Sequence, residues 1–422
     1  MKRLFRYSCC LLCVCALSLM YSCKPNIQVS RENLAPNYQE DFISFTKQVN
    51  LIHISDSISE LKISFDADQF IYVREKPGEP FKAEVLVRAL AFDSYDTDQW
   101  VDSTSLGFTI LQDSLNAPKV QYSLPLKIKT GTGGVVYFSI SDVQKDRKQT
   151  QLIPVDKKTK FGAQWFSVDN QPWRIPSAFT AAPGNTVNFF YNGGSPEKLR
   201  CMLYCDSFSI PVPPYMLENT NAQKLDADSV FTPEMLDANR HLFTATLQRE
   251  GLYFFTADKD SAQGFTILCT DQAYPDVNSH KAMAEPIRYI STQKEYKRII
   301  ESDNVTAAIE QFWLDIGKQE DHTRNLIRRY YSRVRIANTL FASHTEGWKT
   351  DRGMVYIVFG PPTIVYRNAI FESWIYGEEN NYFSITFNFK KMQNKFSDND
   401  FVLDRTPVYK DNWFRAVDIW RQ

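Results

Sequence analysis

The chain has 422 residues, enough for two or three domains, and its 48 basic residues nearly balance 49 acidic ones. A formal charge of -1 leaves no global field to attract nucleic acid or an anionic membrane surface, so nucleic-acid binding is disfavoured. Aromatic residues are 14% of the chain, a supply that suits sandwich cores and apolar interfaces equally.

The first residues read as an export signal. Lys2, Arg3 and Arg6 form a positive start, followed by an apolar stretch carrying Leu11, Leu12, Val14, Leu17 and Leu19. That stretch is shorter than the roughly 20 apolar residues a permanent span needs, but it suits a secretory segment over residues 1–22. It closes on Leu19-Met20-Tyr21-Ser22-Cys23. This ending resembles a lipoprotein signal, in which a small residue precedes a cysteine that is lipidated before cleavage. Cys23 is therefore the expected lipid attachment site and the contact with the membrane. Two or three acyl chains hold a protein far more firmly than one. Residues 23–40 are polar, carry two prolines and read as a tether.

From residue 41 the pattern turns to short extended runs. Leu61–Phe65, Phe81–Ala89, Gly107–Leu111 and Val135–Ile140 are separated by turns at Lys76-Pro77-Gly78, Asn116-Ala117-Pro118 and Gly131–Gly134. Short strands without an intervening helical pattern predict a β-sandwich over 41–150. A second set, including Thr186–Tyr191, Leu199–Cys205, Leu242–Leu247, Leu252–Thr256 and Phe265–Cys269, predicts a second sandwich over 151–275. Pro211–Tyr215 interrupts it as a rigid loop or an extended interaction segment. The part after Cys23 holds Cys201, Cys205 and Cys269. Cys201 and Cys205 lie about 13 Å apart along a strand and cannot bridge each other without a bend. Either can meet Cys269, and three buried thiols are the other reading.

After residue 285 the period becomes helical. Thr292-Gln293-Lys294-Glu295 has capping-box spacing for a helix over 293–301. Asp303 is a candidate cap for the next helix, where Ala308, Phe312 and Ile316 recur at intervals of four. A longer helix is expected over 322–342, with an apolar stripe of Leu326, Tyr330, Val334, Ala337 and Phe341. Arg324, Arg328, Arg329, Arg333 and Arg335 read as a solvated helix face with local acidic partners, and several of them can frame that stripe, heads in solvent and stems against apolar surface.

The sharpest segment is Gly347-Trp348-Lys349-Thr350-Asp351-Arg352-Gly353, followed by Met354–Phe359 and Gly360-Pro361-Pro362. It resembles the GWxTD domain of Bacteroidota envelope proteins. Phe312-Trp313, the Tyr330–Asn338 helix and the strand-like Glu372-Ser373-Trp374-Ile375-Tyr376 extend the resemblance over residues 285–422. Thr363 stands where family members often carry Asp. As a sequence, Met354–Phe359 reads as a strand buried on both faces, which Gly360 and Pro362 end. Gly347 and Gly353 are expected to supply backbone freedom, Trp348 a buried ring, and Thr350 or Asp351 acceptors for turn amides. Arg352 is expected to clamp carbonyls or a carboxylate such as Glu372, with Trp374 on the same strand. The last segment, Tyr409–Arg421, reads as a strand burying Trp413 and Trp420 or as a docking tail. The expected fold is mainly β and multidomain: two β-sandwiches and a small α+β GWxTD-like domain.

For chemistry, Asp351, Arg352, His344 and Glu372 are the candidates. There is no metal-binding His-Glu-x-x-His pair, nucleophile elbow, phosphate-binding loop or Cys-x-x-Cys pair, and the five histidines are scattered. The reading is a non-enzymatic scaffold or accessory subunit of an outer-membrane protein assembly or secretion complex, without metal or cofactor. The alternatives are an envelope glycan- or peptide-binding module and a hydrolase of unrecognised type. Residues 23–27 lack the acidic cluster that resembles a surface-export signal, and the resemblance therefore implies the periplasmic face of the outer membrane, with surface exposure as the alternative.

Overall fold

The computed structural model describes residues 27–39, 48–112, 119–144, 147–169, 179–195, 199–205, 208–217, 225–260 and 262–422. Cys23 lies outside the described residues. Two β-sandwiches precede a mixed α+β C-terminal region. The first packs a three-stranded sheet, β1 (Gln48–His53), β2 (Ile58–Asp66) and β5 (Lys119–Lys127), on a four-stranded one. The latter is ordered β4 (Asp102–Leu111), β3 (Lys82–Phe92), β6 (Thr132–Asp142), β7 (Arg147–Lys157). Alternation on β3 sends Ala83, Val85, Val87 and Ala89 into the core between the sheets, against Leu61, Ile63 and Phe65 of β2. Strand β7 pairs with β6 over its whole length and so runs through the junction expected at 150.

The second sandwich packs a four-stranded sheet, ordered β13 (Glu234–Asp237), β14 (Leu242–Thr246), β10 (Thr186–Tyr191), β8 (Phe166–Val168), on a five-stranded one, ordered β12 (Ser229–Phe231), β11 (Arg200–Tyr204), β15 (Gly251–Thr256), β16 (Phe265–Cys269), β9 (Thr180–Ala181). Its core is aromatic: Phe166, Phe189, Phe255 and Phe265 pack ring on ring, stacked, tilted or edge to face, with centroids 4.7–6.4 Å apart. Cys201 and Cys269 are buried thiols in this core and are not joined, so the bridged reading of that pair gives way to the thiol reading. Burial raises both pKa values, that of Cys269 to about 11. Cys205 is exposed and donates to the Glu250 carbonyl at 3.5 Å.

In the C-terminal region, helices cover a four-stranded antiparallel sheet ordered β17 (Ile364–Arg367), β18 (Phe371–Tyr376), β19 (Ile385–Lys391), β20 (Phe401–Leu403). Helix α1 (Gln293–Ile300) starts on the full Thr292/Glu295 capping box. Helix α2 (Val305–Gly317) is capped by Asn304, which accepts from the Ala307 amide at 3.1 Å, and not by Asp303. Helix α3 (Glu320–Phe341) buries the expected stripe and also Arg333, whose side chain leaves solvent.

Two readings of this region are corrected. Asp351–Phe359 is an α-helix, α4, and not a strand. Lys410–Trp420 is also a helix, α5, with Trp413 and Trp420 buried. An apolar run buried on all sides has no period to distinguish helix from strand. A third correction concerns the N-terminus: the tether expected up to residue 40 is packed, with Val29, Leu34, Ala35 and Tyr38 buried in the C-terminal core. No helix among the described residues is long and apolar enough to cross a membrane.

Candidate functional site

The motif is a tight turn feeding a fully buried helix. Thr350 has extended backbone, φ -101° and ψ 159°, the conformation of an N-cap. Its hydroxyl accepts from the Gly353 amide at 3.1 Å and donates to the Gly347 carbonyl at 2.7 Å. Gly353 and Gly347 are required for contact and not for unusual backbone angles. A Cβ on Gly353 would lie 1.9 Å from the Gly347 carbonyl oxygen, and one on Gly347 would lie 1.9 Å from that of Ala337 on α3. Three backbones therefore meet where the motif crosses α3. Residues Asp351 to Val358 are all buried, so α4 has no solvent face.

Its two ends are closed by distant side chains. At the start, the Trp348 amide donates to Asn338 Oδ1 at 3.1 Å and its carbonyl accepts from Tyr289 Oη at 2.9 Å. The Trp348 ring is 5% exposed and meets Tyr289 edge to face. At the far end, Arg333 Nη1 donates to the carbonyls of Ile357 and Val358, at 3.1 and 3.3 Å. Trp420 Nε1 donates to the Val358 carbonyl at 3.0 Å, and Tyr376 Oη to that of Gly360 at 2.8 Å. Helix-end carbonyls buried away from water need such partners. Gly360, at φ +85°, ends the helix, and the Pro362 carbonyl accepts from Gln39 at 3.1 Å. Thr363 accepts from the Gly377 amide at 3.2 Å, a hydrogen bond that an uncharged side chain supplies.

The ionic residues of the motif bind α4 to the sheet. Asp351 accepts from the Leu403 amide at 2.8 Å and from both terminal nitrogens of Arg405, at 2.9 and 2.5 Å. Burial raises its pKa, against the pull of Arg405 and the amide. Arg352 Nη1 reaches Glu372 Oε2 at 3.2 Å, and its Nη2 donates to the Asn399 carbonyl at 2.9 Å. The guanidinium stacks on Phe401, 4.2 Å from the ring centroid. Glu372, with no exposed surface, also accepts from Arg367 Nε at 2.6 Å, Trp374 Nε1 at 2.8 Å and Tyr38 Oη at 3.1 Å. Burial by itself raises a carboxyl pKa, but Arg367 and Arg352 outweigh it and hold Glu372 at about 2. Trp374 is buried against Tyr38, Phe341 and Phe389.

The structure thus brings Arg352, Glu372 and Trp374 together, places Asp351 on Arg405, and sets His344 apart. His344 contacts Asn394 at 3.0 Å and the Phe208 ring at 4.5 Å, and lies 3.7 Å from Asp400. At 6% and 1% exposure, Asp351 and Arg352 do not open onto a cleft. A surface pocket lined by His280, Glu285, Asp303 and Asn304 contains none of the motif residues. Among the described residues no group of three or more His, Cys, Asp or Glu side chains is placed to hold a metal ion.

The family profile of the GWxTD domain matches residues 251–422. The chain carries a GWxTD domain. The match starts at Gly251, the first residue of a strand in the second sandwich, ahead of the helices at which the motif pattern begins. No curated protein matches the chain. Among solved structures, the ectodomain of the teleost fish polymeric Ig receptor is similar over 53% of this chain and 98% of its own. At 14% identity and a TM-score of 0.21, that likeness bears on neither fold nor function.

The motif's sequence does not mark the partners that complete the GWxTD domain: Tyr38, Asn338, Arg367, Asn399 and Arg405. Asn338 was within the helix that carries the resemblance, and Leu34 and Tyr38, four residues apart in a polar stretch, were a weak signal. Arg405 and Asn399 had no local signal, because their contacts lie 54 and 47 residues away in the chain.

Proposed function

We propose that this protein is a non-enzymatic scaffold, lipid-anchored at Cys23, serving as an accessory subunit of an outer-membrane protein assembly or secretion complex. The resemblance to Bacteroidota envelope proteins supports the outer membrane, on its periplasmic face. The observation that carries the scaffold role is the burial of the motif. The carboxylates and terminal guanidinium nitrogens of Asp351, Arg352 and Glu372 are paired with residues of the same domain, so the motif builds a rigid body and presents no group to a substrate.

Binding then falls to the surface. Tyr382 and Phe383, 95% and 89% exposed, stand at the tip of the β18–β19 hairpin. The tip is held by Ser384 Oγ donating to the Glu378 carbonyl at 2.8 Å and by the Phe383 amide donating to Asn381 Oδ1 at 2.9 Å. A tip whose backbone is held loses less entropy on docking than a free loop, and exposed aromatic rings on it are good anchors. Mild detergent extraction followed by affinity purification tests the reading. Wild-type protein is expected to bring down a membrane-protein partner, and the Tyr382→Ala/Phe383→Ala variant to lose it while melting at the same temperature. Recovery of the wild type as a lone monomer in several detergents would count decisively against the scaffold.

A further inference from the structure

The packing of the N-terminal segment determines which part of the body faces the anchor. Leu34 donates its amide to the Val365 carbonyl at 2.8 Å, Asn33 Oδ1 accepts from the Val365 amide at 3.0 Å, and Gln39 reaches the Pro362 carbonyl. As the chain is followed back from Gln39 to Leu34, its partners advance from Pro362 to Val365. The strap therefore runs antiparallel to β17 and heads toward the Arg367 end of that strand. Tyr38 locks it, accepting from Tyr356 Oη on its carbonyl at 2.7 Å and donating its hydroxyl to Glu372. Val29 has no exposed surface. Cys23 is four residues before Ile27, a span of at most about 14 Å even when fully extended.

Beyond the Arg367 end of β17 lies the β17–β18 turn, and its surface is apolar. Ile370 is 57% and Phe371 40% exposed, and Met392, 41% exposed, follows Lys391, whose amide donates to the Ile370 carbonyl at 2.8 Å. Lys390, exposed, is the cross-strand partner of Phe371. Apolar side chains beside an exposed lysine fit the boundary between acyl chains and anionic headgroups. The second sandwich joins the GWxTD domain along the β20 edge of the sheet, through Lys395 Nζ of the β19–β20 loop donating to Tyr204 Oη at 3.0 Å and Arg405, just past β20, donating to the Val212 carbonyl at 3.3 Å.

We propose that the β17–β18 turn, with Ile370, Phe371 and Met392 flanked by Lys390, rests on the phospholipid surface, so that this end of the GWxTD sheet is membrane-proximal and the β18–β19 tip points away. This rests on lipidation at Cys23. The test uses full-length acylated protein, with Cys205→Ser to remove the exposed native thiol, in vesicles of phosphatidylethanolamine with or without phosphatidylglycerol. A nitrobenzoxadiazole label at Ala369→Cys is expected to shift to shorter wavelength and brighten on reconstitution, and one at Glu379→Cys, in the β18–β19 tip at the other end of the sheet, to stay as in water. Ile370→Ser/Phe371→Ser should abolish the shift, and Lys390→Gln should remove its dependence on phosphatidylglycerol. A long Gly/Ser insert after Asn26 should weaken it. Intact mass separates the two levels of failure. Protein without acyl chains would sink the anchoring reading and the proposal together. Acylated protein whose label at 369 remains water-exposed would overturn the lipid contact alone, as would a shift seen in native membranes but not in pure lipid, which would assign the turn to a protein partner.

Discussion

Glu372 is where burial and charge meet most directly with the motif. It is a buried carboxylate between two guanidinium groups, so removing it leaves Arg352 as an uncompensated buried charge. Glu372→Ala should cost about 3–5 kcal/mol in denaturant unfolding, the range for breaking one side of a buried pair. The same residue predicts an acid limit. Its folded pKa, about 2, is below the ordinary 4.5, so its contribution is fully present above pH 4.5 and is lost as pH falls from there toward 2. That contribution is roughly 3 kcal/mol at neutral pH. Urea midpoints measured down through this window should fall more steeply in the wild type than in Glu372→Gln, which has no charge to lose. The Arg352–Glu372 approach is legible from residue type; the parts of Arg367 and Tyr38 are not, because nothing in the sequence places a residue from position 38 on that carboxylate.

For the motif helix, packing and capping dominate over propensity. Gly353→Ala would place a methyl carbon 1.9 Å from a backbone oxygen that belongs to the same turn and cannot step aside. The expected result is a loss of several kcal/mol, or no folded protein, although Ala is the better helix former. Thr350→Val keeps the shape and removes the cap, and should cost about 1 kcal/mol by thermal melting. Trp348→Ala should cost about 3–5 kcal/mol because the ring is in the core. A normal melting temperature in that variant would show that the ring's burial contributes little. The sequence pattern reads Met354–Phe359 as a strand because both of its faces are apolar. Thr350 before it suits a turn as well as a cap, whereas helix α1, whose capping box lies beside a polar face, has no such ambiguity.

At the scale of the whole molecule, the N-terminal strap is a shared part. Tyr38 and Leu34 seal the GWxTD core, while Asn37 donates to the Thr150 carbonyl of β7 at 2.8 Å and accepts from Gln149 at 3.2 Å. The first sandwich and the C-terminal domain are therefore joined through residues that precede both in the chain. Tyr38→Ala should lower the melting temperature of the GWxTD domain and also increase hydrogen exchange at the first-sandwich edge around Gln149 and Thr150; exchange confined to the GWxTD domain would show that the strap does not couple them. By itself the sequence determined the two sandwiches, the α+β end and the helices with one polar face, because alternation and the helical period are local and repeat within a few residues. Tertiary structure alone decided the state of Met354–Phe359, the burial of Arg333 and the docking of residues 29–38. In each case the deciding partner lies tens or hundreds of residues away, and the free energy of burying a side chain is set by what it meets there and not by its neighbours in the chain.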